Sequence, residues 1–385
     1  MICQKALFSL PENSHYLNGG YKAPLLKASE AAAIQALIRD RNPANIAPAD
    51  YFNEVLEVKT IFSGLVNARP SQIAIIPSTT YGFSSALKNI RAKQNGNAIV
   101  VHNEFPSGYF SIETWCRQNN NALNIVKPAD EHHIGASWNR ALLEAINSDT
   151  SVVLISSIHW MNGLRFDLEA IGKKCRDVGA FFIVDGTQSV GVIEMDIKRF
   201  NINVLVCAGY KWLLGPYSLA LAYFDDHFND GSPLEESWIN RSNAANFSTL
   251  TNYESNYFPD AGRYSVGETS NFILMPMLLT ALKQVSEWQP ENIESYAKKL
   301  IQPLLATLKR FDIPFIEPPY QSYHLFAFRL PASVNIETFK TALAANNISV
   351  SVRGEFIRVS VNVYNDKNDI EQLIKVTDLL FSAVS

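Results

Sequence analysis

The middle of the chain alternates between short apolar runs and segments in which apolar residues recur at helical spacing. Six runs of four to six residues occupy positions 98–102, 123–126, 151–156, 181–184, 204–207 and 219–224. Nearly continuous apolar runs that are rich in β-branched residues predict strands buried on both faces of a sheet. A further apolar run at 73–76 precedes a helical stretch.

One segment between two runs carries clear helix boundaries. Its apolar residues form a single stripe: Leu168, Ile171, Cys175 and Val178. Asp167 is a suitable N-cap and Gly179 a suitable stop. The alternation of strand, helix and strand predicts an α/β fold with a mostly parallel sheet and helices on both faces. Ligands of such sheets bind beyond the carboxyl ends of the strands.

The pattern changes after about position 257. It predicts a helix within 276–288, strands at 324–330, 348–352 and 356–361, and helices at 336–346 and 366–383. We therefore expect a large domain over residues 26–256 and a smaller α+β domain over residues 257–385. Residues 1–25 are expected to form an N-terminal segment that contributes to the substrate side.

The composition of the chain argues against a nucleic-acid-binding, membrane or disulfide-rich protein. The 385 residues are 47% hydrophobic and carry a net charge of −4, so no basic excess points to nucleic acid or a membrane surface. No C-x-x-C pair is present, which argues against a zinc site and a disulfide framework. The N-terminus does not resemble a signal peptide, and the most apolar stretch, 272–282, is far shorter than the ~20 residues of a membrane span. We expect a soluble, cytoplasmic protein without a metal.

The sharpest chemical signal is an acid and a lysine at the ends of two predicted strands. Asp185 follows the run 181–184, and Lys211 follows the run 204–207, 26 positions later. Taken singly, Asp185 caps a turn and Lys211 is a surface lysine beside a Gly-Pro turn. As a pair at adjacent strand ends, flanked by Tyr210 and Trp212, they predict one shared pocket.

Pyridoxal 5′-phosphate (PLP) chemistry requires such a pair. A lysine amine forms a Schiff base with the cofactor aldehyde and exchanges it with the substrate amine. A carboxylate keeps the pyridine nitrogen protonated, so that the ring accepts electrons from the substrate α-carbon. Apolar surroundings also lower the pKa of a lysine toward neutrality. We predict that Lys211 and Asp185 are the catalytic pair.

The segments around Asp185 and Lys211 resemble the cofactor-binding signature of class V aminotransferase-fold PLP enzymes. This family includes cysteine desulfurases, selenocysteine lyases, kynureninase, isopenicillin N epimerase and several aminotransferases. The resemblance extends from about residue 17 to residue 365. It implies the type I, aspartate aminotransferase-like PLP fold and a homodimer whose site is completed across the subunit interface.

The resemblance assigns cofactor roles to five residues that follow predicted strands. Thr79 and Thr80 match the segment that holds the PLP phosphate, although Ser-Thr-Thr is locally also a helix cap. Phe105 matches the ring that stacks on the pyridine, where the alternative is a core phenylalanine. Thr187 matches the residue under the ring, and Gln188 matches the glutamine that hydrogen-bonds the ring oxygen.

Two further residues complete the implied phosphate site. Tyr210 matches the residue before the lysine, which often reaches the phosphate. Ala208 stands where many desulfurases have serine, so a tyrosine contact would replace part of that shell. Thr269, in Gly267-Glu268-Thr269, matches the threonine that crosses the dimer interface to the partner's phosphate, and is locally also a candidate helix N-cap.

The substrate side is implied by the C-terminal strand and two asparagines. Arg358 matches the arginine that binds the substrate carboxylate, with Arg353 as a weaker candidate. Asn18 and Asn162 match segments that line the substrate. His159 is either a second acid/base or a buried, hydrogen-bonded histidine.

The chain departs from the desulfurase pattern before Arg358. Desulfurases usually carry a nucleophilic cysteine on a loop there, whereas only four residues separate Arg353 from Arg358 and none is cysteine. Cys175 and Cys207 are interpreted as packing cysteines. The remaining parts support transamination, β- or γ-elimination, racemisation or kynureninase-like cleavage of a small amino acid. The alternatives are a desulfurase or selenocysteine lyase that uses another thiol or an external reductant, and a catalytically silent binding protein.

Overall fold

The computed structural model describes residues 1–130 and 133–383. In chain order its strands are β1 (His15–Tyr16), β2 (Ile73–Ile76), β3 (Asn97–Val101), β4 (Ala122–Val126), β5 (Thr150–Ser156), β6 (Phe181–Asp185), β7 (Val204–Ala208), β8 (Ala220–Phe224), β9 (Leu325–Arg329), β10 (Ile348–Ser349), β11 (Ser351–Arg353) and β12 (Phe356–Ser360). The α-helices are α1 (Lys27–Asp40), α2 (Asn53–Val66), α3 (Thr79–Lys88), α4 (Pro106–Gln118), α5 (Ile134–Ala145), α6 (Leu168–Val178), α7 (Leu274–Trp288), α8 (Pro290–Arg310), α9 (Ile336–Ala345) and α10 (Lys367–Ser382).

The large sheet has the strand order β2-β8-β7-β6-β5-β3-β4. Strand β8 is antiparallel to both of its neighbours, and the other pairings in this sheet are parallel. The predicted mostly parallel α/β sheet is therefore confirmed. Each of the six predicted runs forms a strand whose ends differ from the prediction by at most one residue.

The continuous apolar runs reflect burial of both faces of the sheet. Every residue of β5 and β7 is buried. Alternate residues of β5 enter different cores: Val153 and Ile155 belong to one apolar cluster, and Val152 and Leu154 to the other. Because helices cover both faces, neither side of a central strand needs polar residues.

Local capping chemistry fixes α6 as predicted. The Asp167 carboxylate accepts a hydrogen bond from the Ala170 N–H at 3.0 Å, and Gly179 ends the helix with φ +66°. The helices α1, α2 and α8 were not predicted. The predicted strand 348–352 is wrong as a single element, because Ile348–Ser349 pairs with β1 whereas Ser351–Arg353 pairs with β12.

The C-terminal part of the chain builds a second, antiparallel sheet with the order β11-β12-β9. Helices α8, α9 and α10 contribute to its core. The N-terminal segment runs beside this sheet: Asn18 bridges Ser360, and the Gly20 N–H donates to Ser360 Oγ at 2.8 Å. Helix α7 packs against α1 and α2. The domain boundaries given above stay a prediction.

Membrane insertion finds no support among the helices of the described residues, since none is both long and apolar enough to cross a bilayer.

Two helical glycines give a matched test of the packing. A Cβ on Gly172 in α6 would lie 1.8 Å from the carbonyl oxygen of Phe200, whereas a Cβ on Gly64 in α2 would meet nothing within 4 Å. We expect Gly172→Ala to destabilise the protein by about 2 kcal/mol or more, because a backbone oxygen must move. Gly64→Ala should stabilise it by roughly 0.5–1 kcal/mol. Urea unfolding of both variants would contradict this packing if their midpoints moved in the same direction.

Candidate active site

Lys211 lies in a pocket at the carboxyl ends of β6 and β7. These strands are parallel neighbours, and Asp185, the last residue of β6, pairs with Val206 of β7. The pocket unites seven predicted site residues: Thr79, Phe105, Asp185, Thr187, Gln188, Tyr210 and Lys211. Ser156 and Trp160 also line it and were not predicted. The rule that ligands bind beyond strand carboxyl ends therefore locates the pocket correctly.

The amine of Lys211 is buried among aromatic rings. The side chain is 8% exposed, and its Nζ lies 5.8 Å from the ring centroid of Phe105 and 5.7 Å from that of Tyr210. Burial lowers the pKa of Lys211 to about 8, against the opposing effect of Asp185. A much larger share of neutral, nucleophilic amine is therefore present near neutral pH than in an ordinary lysine.

Asp185 is buried at the end of β6, 7% exposed. Its Oδ1 accepts a hydrogen bond from the Thr187 N–H at 2.9 Å, and Thr187 Oγ1 accepts one from the Ala208 N–H at 3.1 Å. Desolvation raises the pKa of Asp185, while Thr187 and Lys211 oppose the rise. Thr187 thus joins the ends of β6 and β7 and holds the carboxyl group in place.

Glu104 is a buried acid that sequence reasoning missed. It is 6% exposed, and its carboxylate accepts hydrogen bonds from the Phe105 N–H and the Ser156 N–H, both at 2.7 Å, and from Ser156 Oγ at 2.5 Å. Ser156 lies directly opposite Asp185 in the sheet. Glu104 therefore ties the end of β5 to the turn that presents Phe105. The sequence signal that could have identified Glu104 is an acidic residue between the predicted strand 98–102 and Phe105.

Trp160 contacts both the lysine pocket and Arg358. Its indole N–H donates to the Asn103 carbonyl at 2.7 Å, and its ring lies 5.5 Å from the Phe105 ring at an interplanar angle of 88°. Its carbonyl accepts a hydrogen bond from Arg358 Nη1 at 2.6 Å. One residue therefore connects the aromatic wall of the pocket with the arginine.

Gln188 is held by two protein partners. Its amide N–H donates to the Gly20 carbonyl at 3.1 Å, and its amide oxygen accepts from the Trp212 indole N–H at 2.9 Å. These bonds attach the N-terminal segment to the floor of the pocket. Its predicted contact with a ring oxygen is not tested by this arrangement and stays a prediction.

The two threonines predicted to bind the phosphate lie at the N-terminus of α3 but line different cavities. Ser78 is the N-cap, and its Oγ accepts from the Tyr81 N–H at 3.3 Å. Thr79 and Thr80 occupy the first turn, where backbone N–H groups lack helical partners. Thr79 lines the lysine pocket, whereas Thr80 is exposed and lines a neighbouring groove with Ser84. The helix-cap interpretation therefore applies to Ser78.

Thr269 lies buried in the loop before α7. It does not cap that helix, because Asn271 Oδ1 accepts from the Ile273 and Leu274 N–H groups at 3.2 and 2.9 Å. The Gly267 N–H donates to Glu235 at 2.9 Å. Thr269 is not among the residues that line the lysine pocket of its own chain.

Arg358 is a fully buried guanidinium, 1% exposed, on β12. Besides the Trp160 carbonyl, its only polar contact in the described chain is Ser351 Oγ at 3.5 Å, and its Nε has no partner. Burial, with a smaller effect of Arg353, lowers the pKa of Arg358 to about 10. No acid among the described residues forms an ion pair with it.

The remaining predicted substrate residues lie around Arg358. Arg353 is half-buried, with its guanidinium carbon 5.9 Å from the Trp160 ring centroid. Asn18 accepts a hydrogen bond from Ser351 Oγ at 2.6 Å, the hydroxyl that also contacts Arg358. These contacts gather the N-terminal segment and the second sheet around one cationic position.

Asn162 instead faces a buried histidine. Its Oδ1 lies 3.0 Å from His159 Nδ1 and accepts from the Leu164 N–H at 3.0 Å. His159 Nε2 lies 3.2 Å from the His102 carbonyl oxygen, and burial lowers the pKa of His159 to about 4. His159 is thus a buried, hydrogen-bonded histidine, the second of its two interpretations.

Residues 48–373 match the family model described as aminotransferase class-V. The chain belongs to the class-V aminotransferase family. A probable cysteine desulfurase of Pyrococcus abyssi is 22% identical over 85% of this chain and 83% of its own length. A kynureninase of Cryptococcus neoformans is 21% identical over 82% of this chain and 76% of its own length.

Solved structures share the whole fold with this family member. The cystine C–S lyase C-DES, solved with its product cysteine persulfide, superposes with a TM-score of 0.82 at 18% identity, covering 95% of this chain and 98% of its own. A C-DES variant with glycine covalently linked to PLP gives a TM-score of 0.83 at 16% identity, covering 97% and 99% of the two chains. The predicted type I PLP fold is therefore confirmed.

The family implies PLP, and the residues of the pocket fit it. A buried amine with a lowered pKa suits the cofactor aldehyde, and a desolvated carboxyl suits a protonated pyridine nitrogen. The first turn of α3 supplies N–H groups for a phosphate. Phe105, half-buried at the pocket wall, offers its face to a planar ring.

Glu104 makes a pH-dependent contribution to stability that can be measured. Burial raises the pKa of Glu104 from 4.5 to about 7, so the folded state retains a proton that the unfolded state releases. Between these pH values the free energy of unfolding of the wild type should fall as pH rises, relative to Glu104→Gln, by up to roughly 3 kcal/mol. Denaturant unfolding of both proteins without PLP, at pH 4.5 and 7.5, tests this. A difference that stays constant or rises with pH would contradict the assignment.

Proposed function

We propose that this chain is a PLP-dependent enzyme that acts on an amino acid through Lys211, by transamination or lyase chemistry. The observation that carries the proposal is a buried lysine amine near Asp185 and Phe105, together with the buried guanidinium of Arg358, which has no acidic partner among the described residues. When bound, PLP supplies an electron sink for bonds that break at the substrate α-carbon. A silent binding protein would have no need of all three charged groups.

Each residue of the pocket would have a different role toward the cofactor. Lys211 would hold PLP through its amine and would take up and release protons at the substrate when that amine is free. Asp185 would keep the cofactor's ring nitrogen protonated. Phe105 and Thr187 would pack against the cofactor ring, and Gln188 would donate a hydrogen bond to its ring oxygen.

Different residues would hold the cofactor phosphate and the substrate carboxylate. Thr79, the α3 N-terminus and Tyr210 would bind the phosphate, with Thr80 at the outer edge of that helix end. Arg358 binds the substrate carboxylate in its planar fork, since no acid of the described residues forms an ion pair with it. Asn18 positions the substrate side through Ser351, and Asn162 lines the neighbouring segment.

A cysteine desulfurase or selenocysteine lyase reaction is the second candidate, and the name of one relative, a probable cysteine desulfurase, supports it. The chain does not supply the usual nucleophile for it. Residues 354–355 form a tight turn between β11 and β12, and no cysteine lines the lysine pocket. Burial raises the pKa of Cys175 to about 12 and that of Cys207 well above its ordinary value. Such chemistry here therefore requires an external thiol or reductant.

A lysine variant with a matched control tests the assignment of Lys211. With PLP added, the wild type should show a visible absorbance band at ~410–430 nm, typical of a PLP–lysine Schiff base, which changes when the substrate amino acid is added. Lys211→Ala should lose both the band and at least ~10³-fold of the activity, because no amine replaces it. Lys59→Ala is the control, since burial lowers the pKa of Lys59 to about 8 as well but Lys59 lies on α2, outside the pocket. A band that survives in Lys211→Ala and disappears in Lys59→Ala would refute the assignment.

We further propose that the protein is a homodimer whose sites are completed across the interface. Several apolar side chains of α1 and α2 are exposed: Ile34, Leu37, Ile38 and Leu56. Burial of exposed apolar side chains is typical of a subunit interface. The cytoplasmic location and the absence of nucleic-acid and membrane partners stay predictions.

Thr269 provides the test of a shared phosphate site. If its hydroxyl binds the partner's phosphate, Thr269→Val should weaken PLP binding about tenfold without changing the dimer mass in sedimentation, because one hydrogen bond to a charged group is lost. Thr341→Val, at an exposed position of α9, should change neither quantity. A monomeric wild type that binds PLP as firmly would contradict the proposal.

A further inference from the structure

Two arginines lie on the same face of the second sheet. Strand β11 pairs with β12 so that Ser351 opposes Arg358 and Arg353 opposes Phe356. Directly opposed residues share a face, as do residues two apart along a strand. Arg353 and Arg358 are therefore diagonal neighbours on one face, with Cβ atoms about 7 Å apart.

Both arginines contact Trp160, the wall of the lysine pocket. Arg358 donates to its carbonyl, and the Arg353 guanidinium lies 5.9 Å from its ring centroid. Trp160 also lines the pocket of Lys211, so both guanidinium groups lie at the wall of that pocket. The two cations thus belong to the environment of the lysine and not to a separate surface.

No acid in the described part of the chain forms an ion pair with either arginine. Among the described residues, the remaining hydrogen-bond partners of the two guanidinium groups are the Val352 carbonyl at 2.8 Å and the Ser351 hydroxyl at 3.5 Å. Arg329, on the adjacent strand β9, instead has Glu355 at 3.6 Å. A buried guanidinium without an anion is costly, so the site is arranged for anions that arrive with a ligand.

A substrate with a single carboxylate would pair with only one of the two arginines. The cations Lys211, Arg358 and Arg353 lie around Trp160. The described residues set two buried carboxyl groups near them, those of Asp185 and Glu104, and hydrogen bonds hold the Glu104 carboxyl group toward Ser156. A substrate α-carboxylate on Arg358 leaves the half-exposed Arg353 at the mouth without a partner. A second acidic group on the same substrate, a few bonds from the first, would pair with the Arg353 guanidinium.

We propose that the substrate is an amino acid with an acidic side chain, whose α-carboxylate binds Arg358 and whose distal acid binds Arg353. This inference rests on the proposed function, because it takes Arg358 as the α-carboxylate site. A long arginine side chain spans the diagonal spacing, and its planar fork accepts both oxygens of a carboxylate. The face of the Trp160 ring limits the positions open to the Arg353 guanidinium.

The test compares two ligands of equal length on the protein loaded with PLP. Succinate carries two carboxylates and butyrate one, and neither has an amine that reacts with the cofactor. Ligand-observed NMR titration at low salt should give a dissociation constant for succinate at least about tenfold below that for butyrate, since one further charge-assisted contact forms. Added salt should reduce this preference, because Arg353 is half-exposed.

Variants decide which arginine carries the preference. Arg353→Gln should reduce the preference for succinate to about twofold or less while leaving butyrate binding unchanged, and Arg358→Gln should weaken both ligands. Arg329→Gln, on the same sheet but paired with Glu355, is the control and should leave the preference intact.

Three outcomes would overturn the inference: equal affinities in the wild type, equal weakening of both ligands by Arg353→Gln, or binding of neither ligand. The visible band of the lysine-bound cofactor separates this failure from failure of the proposed function. A normal band with equal affinities rejects only the second acidic group. A missing band rejects the function itself.

Discussion

The constraint on which the site depends is the burial of one amine and one carboxyl group, those of Lys211 and Asp185, at the ends of two adjacent strands. Lys211 and Asp185 are both at least nine-tenths buried, and burial opposes the charged form of each. Their mutual attraction offsets only part of this cost. The sheet makes the arrangement possible, because β6 and β7 are parallel and end at the same edge. A cofactor with an electrophilic carbon and a basic nitrogen satisfies both groups at once.

Other segments of the chain place polar side chains at the same edge of the large sheet. Glu104 fixes the turn of Phe105 against β5, and Thr187 joins β6 to β7. The second sheet supplies Arg358 from the opposite side, and Trp160 connects it to the pocket. Residues from four strands and one helix end thus converge, although they are far apart in the sequence. The small sheet contributes Arg358, and the strand ends of the large sheet contribute Lys211 and Asp185.

Sequence reasoning found the parts that burial and position determine. Continuous apolar runs identified the central strands, because residues on both faces must be apolar there. The residues after those runs, Asp185 and Lys211, then fell into one pocket. What escaped prediction depends on long-range contacts: Glu104 binds Ser156 and Trp160 binds Arg358, and both partners are distant in the sequence. Likewise, the break between β10 and β11 arises because β10 pairs with the distant strand β1.

The most direct test of the account is to locate the lysine that carries the cofactor. The protein is incubated with PLP, reduced with borohydride so that the bond to the lysine becomes permanent, digested and analysed by mass spectrometry. The account predicts one pyridoxyl-modified site at stoichiometric yield, in the peptide that contains Lys211. Stoichiometric labelling of another lysine, such as Lys59, with Lys211 unmodified would contradict it.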